Sequence, residues 1–106
     1  MKARIIVIDD DAVACEFLHE VLQRDGYDVS SFTSAPAALK QNLADYDLLM
    51  SDIRMPGMDG LQLLSEIQRA WPNLPVILMT AYGSLETTME AIRLGAWDYI
   101  SKPFSP

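Results

Sequence analysis

Ile5-Ile6-Val7-Ile8-Asp9-Asp10-Asp11 is the stretch that decides the fold. Four consecutive β-branched apolar residues, with no polar residue between them, read as a strand buried on both faces. Such strands belong to parallel sheets covered by helices on both sides. The run then breaks into three carboxylates, so a buried strand ends abruptly in charge.

Working outward, the pattern alternates. Val13, Phe17 and Val21, with Leu18 and Leu22, recur at helical spacing, and Gly26 stops that helix as a C-cap. Tyr27 to Phe32 is a second strand, more polar and therefore suited to an edge. Ser34 caps a helix with Pro36 in its first turn and Ala38, Leu39 and Leu43 as its apolar stripe. Leu48-Leu49-Met50 is a third strand, ending at Ser51-Asp52. Pro56-Gly57 then suits a type II turn. Leu61, Leu64 and Ile67 give the next helix, ending near Trp71-Pro72. Pro75 to Met79 is the fourth strand, ending at Thr80. Ser84 caps a helix carrying Leu85, Met89 and Ile92, closed by Gly95. Trp97 to Ser101 is the fifth strand, ending at Lys102-Pro103. Strands and helices in strict alternation imply right-handed crossovers and a parallel sheet covered on both faces. The expected fold class is α/β, one three-layer sandwich, with the strand order left open.

The chain has 106 residues, which allows one domain over residues 1–106. Fifteen acidic against 8 basic side chains give a net charge of -7. That balance rules against direct nucleic-acid binding by this domain and against an anionic membrane surface. A metal cation or a basic partner remains. Cys15 stands alone, which excludes an internal disulfide framework and a thiolate zinc site and suits a reducing compartment. The first apolar run is too short for a signal peptide, and the longest uncharged stretch, Ala70 to Leu85, is broken by Pro72 and Pro75. A cytoplasmic location, with no membrane contact, is expected.

In an open parallel sheet, ligands bind at the edge where the strands end. The first strand ends at Asp9-Asp10, the third at Asp52, the fourth at Thr80 and the fifth at Lys102. Three carboxylates, a hydroxyl and an ammonium therefore converge on one rim. Crowded carboxylates repel, and a divalent cation relieves this. An all-oxygen site that keeps several waters suits Mg²⁺, and a lysine and a hydroxyl beyond it would grip an oxyanion. The set is a phosphoryl-transfer layout in which a carboxylate can be the nucleophile.

With these residues in view, the chain closely resembles the receiver domain of two-component response regulators. The matching pieces are Ile8-Asp9-Asp10-Asp11, the run Ser51 to Gly60, Thr80-Ala81, and Gly95-Ala96-Trp97-Asp98-Tyr99 leading to Lys102-Pro103-Phe104. Asp52 to Gly60 and Thr80 to Gly83 look most like receivers of the nitrogen-regulation type, which are enhancer-binding activators of the alternative sigma factor. The resemblance implies a flavodoxin-like sheet of order 2-1-3-4-5. It implies Asp52 as phosphoacceptor for the phosphohistidine of a sensor histidine kinase, Asp10 as direct Mg²⁺ ligand, Asp9 as a ligand acting through water, and the Arg54 backbone carbonyl as a further ligand. It makes Thr80 and Lys102 the phosphoryl-oxygen ligands, Tyr99 an aromatic switch coupled to Thr80, and the Lys102-Pro103 bond cis. The output would be changed pairing, as in a homodimer, without turnover of a substrate.

Plainer roles compete for some of these residues. Asp11 and Asp59 read as helix caps, His19 as a surface or rim residue, Cys15 as packing, and Met55 and Met58 as local packing around the turn. Rival functions are a stand-alone receiver or phosphorelay shuttle, a receiver that has lost phosphorylation, an aspartyl-nucleophile phosphatase and a flavin-binding domain. The phosphatase needs a general acid near its nucleophile, and Arg54 cannot serve. Three aspartates after the first strand would repel a flavin phosphate. Ser105-Pro106 reads as a helix start. The expectation is a receiver shortened before its fifth helix, with an apolar strip left against the first and fifth strands and an output domain further along.

Overall fold

The structure, a computed structural model, describes residues 2–80, 89–91 and 93–101, the last three of these by their backbone alone. β1 (Arg4–Ile8) forms where the β-branched run stands, and Ile6, Val7 and Ile8 are wholly buried. Its residues alternate between two cores, as strand geometry requires. Ile6 and Ile8 join Leu49, Leu63, Leu64, Ile67 and Leu78 on one face. Ile5 and Val7 join Cys15, Leu18, Val29, Met50 and Met79 on the other.

The remaining elements are α1 (Ala12–Arg24), β2 (Asp28–Phe32), α2 (Ala35–Leu39), a 3-10 turn (Leu43–Asp45), β3 (Leu48–Asp52), α3 (Gly60–Ala70), β4 (Val76–Thr80) and β5 (Asp98–Ser101). Residues 89–91 and 93 are helical, whereas Ser84, Leu85 and Ile92 lie outside the described residues. All five strands are parallel, in the order β2-β1-β3-β4-β5. The expected α/β sandwich and its strand order are therefore observed. β2 is an edge strand, as its polarity suggests, and it is the least buried of β1 to β4.

Local chemistry sets the boundaries. Asp11 caps α1 by accepting from the backbone N–H groups of Val13 and Ala14. Ser34 caps α2, with Pro36 in its first turn. Asp59 and Gln62 close a reciprocal capping box at the start of α3. Gly57 sits at φ 80°, which only glycine adopts at little cost and which the third position of a type II turn requires.

Two readings are corrected. The apolar face expected on α1 is turned: Val13 is 77% exposed and Phe17 46%, while Cys15 and Leu18 are buried. At 3.6 residues per turn, Cys15, Leu18 and Leu22 share one side, and Val13 and Phe17 fall opposite. Leu43 does not extend the stripe of α2. That helix ends at Leu39, and Leu43 is buried from the separate 3-10 turn capped by Asn42. The strands also start one residue later than read at β2, β4 and β5.

An apolar cleft of about 430 Å³ crosses the sheet on the side of α1. Ile5, Leu22, Leu48, Met50, Ile77 and Trp97 line it, so the strip runs over β1, β3 and β4 to the residue before β5.

The turned face of α1 has a measurable consequence. Leu18→Ala is expected to lower unfolding stability in urea by about 2–5 kcal/mol, and Val13→Ala by less than about 0.5 kcal/mol. Comparable losses would return Val13 to the core.

Candidate functional site

Register brings the strand ends level. Ile8 pairs with Ser51, which sets Asp9 beside Asp52, and Asp52 pairs with Met79, which sets Thr80 one residue beyond. Asp9 (2% exposed), Asp52 (8%) and Thr80 (1%) are buried, and Asp10 is exposed. Buried ionisable and polar residues are uncommon, so three at one edge mark it out.

Hydrogen bonds to the main chain hold Asp9 and the Asp52–Ile53 peptide. The Asp9 N–H donates to the Phe32 carbonyl at 3.1 Å, tying it to β2. Asp9 Oδ1 accepts from the Asp11 N–H at 3.0 Å, while Asp11 spends its own carboxylate on the helix cap. The Ile53 N–H donates to the Met79 carbonyl at 3.0 Å, which carries the β3–β4 ladder past Asp52. Ser51 Oγ donates to the Asp52 carbonyl at 2.9 Å.

Asp9, Asp10 and Asp52 each present a carboxylate oxygen, and these oxygens lie within 4.8 Å of one another. Like charges so close repel strongly, and a cation among them reverses the sign of that interaction. With Mg–O bonds of 2.0–2.1 Å, oxygens of an octahedral shell stand about 2.9 Å apart when adjacent and about 4.2 Å when opposite. Oxygens gathered this closely can reach such a shell once the side chains draw together by up to about 2 Å, so the three carboxylates suit a small hard cation. Asp10 opens the group to solvent, so water can complete the shell.

Of the other expected site residues, Arg54 follows Asp52 by two positions and is exposed on the loop before α3. Tyr99 pairs with Leu78 through its backbone, and its side chain lies outside the described residues. Lys102, Pro103 and residues 81–88 also lie outside them. The caps expected at Asp11 and Asp59 are in place. His19 Nδ1 lies 2.9 Å from Ser31 Oγ and ties α1 to β2 at the rim. Sequence reasoning passed over Ser51 and Gly60, which both touch the main chain at Asp52. Only a glycine standing directly after a capping aspartate hinted at the second.

The response regulator receiver domain family matches residues 5–106. This chain belongs to the receiver family. The receiver is 44% identical to the response regulator FleR of Pseudomonas aeruginosa over 98% of its own length. It is 43% identical to the DNA-binding transcriptional regulator NtrC of Proteus hauseri over 97% of its length. NtrC among the relatives bears out the likeness to the nitrogen-regulation type. The receiver spans 22% of each of these relatives, about a fifth of their length. Among solved structures, a CheY-like receiver from Methanospirillum hungatei superimposes with a TM-score of 0.93 at 31% identity, covering all of this chain and 86% of that one. The beryllofluoride-activated NtrC4 receiver dimer gives 0.89 at 30% identity, over 96% of this chain and 85% of that one. Receivers are signalling switch domains of two-component systems, controlled by phosphorylation.

Cys15 packs at the foot of the site, with Sγ 3.5 Å from the Phe32 carbonyl. Burial pushes its thiol pKa up, opposed by a hydrogen bond from Ser31 and assisted by the charge of Asp9. A raised thiol pKa adds stability below the ordinary thiol range and loses it as pH climbs through the raised value. Folded protein is therefore expected to react with iodoacetamide at pH 7.5 roughly tenfold or more slowly than urea-unfolded protein. Equal rates would contradict the burial.

Proposed function

We propose that this receiver accepts a phosphoryl group on Asp52 from the phosphohistidine of a sensor histidine kinase. The observation that supports this best is the trio of Asp9, Asp10 and Asp52 carboxylates at the C-terminal edge of a parallel sheet. Asp52 stands at the end of central β3, paired with Met79 of β4 and followed by the Ile53 N–H bond to the Met79 carbonyl, so its carboxylate meets an incoming phosphorus in a fixed orientation. A carboxylate oxygen of Asp52 forms the O–P bond as the P–N bond breaks. The electron pair leaves on the imidazole nitrogen, which takes up a proton.

Asp9 and Asp10, with Asp52 and the Arg54 backbone carbonyl, would hold Mg²⁺, Asp10 directly and Asp9 mainly through water. Bound there, the cation neutralises charge on the phosphoryl oxygens. Thr80, buried at the end of β4, and Lys102, one residue beyond β5, would take the other phosphoryl oxygens. Thr80 moving toward the phosphoryl group, with Tyr99 changing rotamer behind it, is the switch we assign. The new charge biases an existing two-state element.

The domain assists its own phosphorylation and is not an enzyme acting on other substrates. The readout we assign is pairing with a second copy, on the precedent of the activated NtrC4 receiver dimer. NtrC is a DNA-binding transcriptional regulator, and control of transcription by an output domain, in the cytoplasm, is the function we assign to the regulator as a whole. Among the described residues no helix is long and apolar enough to cross a membrane.

Incubation with Mg²⁺ and acetyl phosphate is expected to add one phosphoryl group, read by intact mass, and Asp52→Asn to abolish the gain. Chelating the metal is expected to slow the reaction by about two orders of magnitude or more, which is several kcal/mol of charge stabilisation. Equal modification of Asp52→Asn would overturn the assignment.

A further inference from the structure

Gly60 opens α3 immediately after its capping residue, Asp59, and is buried. Glycine is a poor helix former, and nothing in the capping box asks for it. Its φ is not in the left-handed region, so conformation does not demand it either. Space does. A Cβ at Gly60 would stand 2.5 Å from the Asp52 carbonyl oxygen, 2.7 Å from the Ile53 Cα and 3.2 Å from the Asp52 carbonyl carbon. All three are backbone atoms, which cannot swing aside as a side-chain end would. The Gly60 N–H meanwhile donates to the Ile53 carbonyl at 2.7 Å. The start of α3 is thus pressed against the peptide that carries Asp52.

We infer that Gly60 is a positioning residue for phosphoryl transfer, setting the place of the Asp52–Ile53 peptide and of the loop through Arg54. The inference rests on the proposed role of Asp52. Relieving a Cβ contact of 2.5 Å requires a displacement of about half an ångström to one ångström in a close-packed interior. Neither side yields freely. Ile53 is held in the ladder by its bond to Met79, and α3 is anchored by Leu63, Leu64 and Ile67, all wholly buried. Movement of either side changes the span from Asp52 to Gly60 and so shifts Asp52, Arg54 or both relative to Asp9 and Asp10. Misplacement of that size costs a positioned reaction about tenfold to a hundredfold.

The test compares Gly60→Ala with Ile67→Val, a core change in the same helix away from the site. Both are assayed with a stabilising osmolyte present, after folding has been checked by circular dichroism. Mg²⁺ affinity and the rate of modification by acetyl phosphate at saturating Mg²⁺ are read separately. For Gly60→Ala both are expected to fall about tenfold or more, while Ile67→Val stays within about twofold of wild type. Wild-type values for folded Gly60→Ala overturn the inference. So do equal losses in Ile67→Val, which would make stability the cause. A Gly60→Ala chain that stays unfolded in the osmolyte makes Gly60 a folding residue and overturns it as well. If wild type takes no phosphoryl group on Asp52, the proposed function fails instead, and the Mg²⁺ affinities still decide whether Gly60 places the carboxylates.

Discussion

A parallel sheet delivers the C-terminal end of every strand to one edge, and the chemistry of this domain depends on that constraint. β1 and β3 are neighbours, in a register that sets Ile8 beside Ser51, so the residues that follow them meet. What meets there is a group of carboxylates. Asp9, Asp10 and Asp52 gather oxygens within 4.8 Å, and like charges so close favour a cation among them.

Such a site needs a rigid support, and the two-sided core supplies it. β1 is buried on both faces, and it feeds one core through Ile6 and Ile8 and the other through Ile5 and Val7. Asp9 and Asp52 extend directly from strands that cannot tilt without opening both cores. The capping groups show a division of labour. Asp11 and Asp59 spend their carboxylates on helix N-termini, whereas Asp9, Asp10 and Asp52 bring an oxygen each into one group. Three consecutive aspartates after β1 thus hold two kinds of role, separated by backbone direction alone.

The fold was legible where the signal was one-dimensional. The run Ile5 to Ile8 announces a two-face strand, and Asp9, Asp52 and Thr80 are recognisable as strand ends because a polar residue follows an apolar run. Strand order was not legible from pattern, since it depends on which strands pair across long crossovers; it came from resemblance. The inward face of α1 was misread because Val13 and Phe17 outweigh Cys15 in apolar size, although Cys15, Leu18 and Leu22 carry the seam. The end of α2 was missed because Leu43 keeps helical spacing while the backbone has already turned into the 3-10 segment. The contact of Gly60 with Asp52 joins residues eight apart through a loop, and no periodicity reports such an approach.

The central claim is that the carboxylates at this edge form one cation site. Its most direct measurement is amide line broadening by substoichiometric Mn²⁺, a paramagnetic stand-in for Mg²⁺. Broadening centred on residues 9–11 and 52–54, fading toward Asp47 and Leu74 at the opposite edge, is the expected result. Broadening centred instead on Glu16 and Glu20 of α1, or spread evenly over the acidic surface, would contradict it.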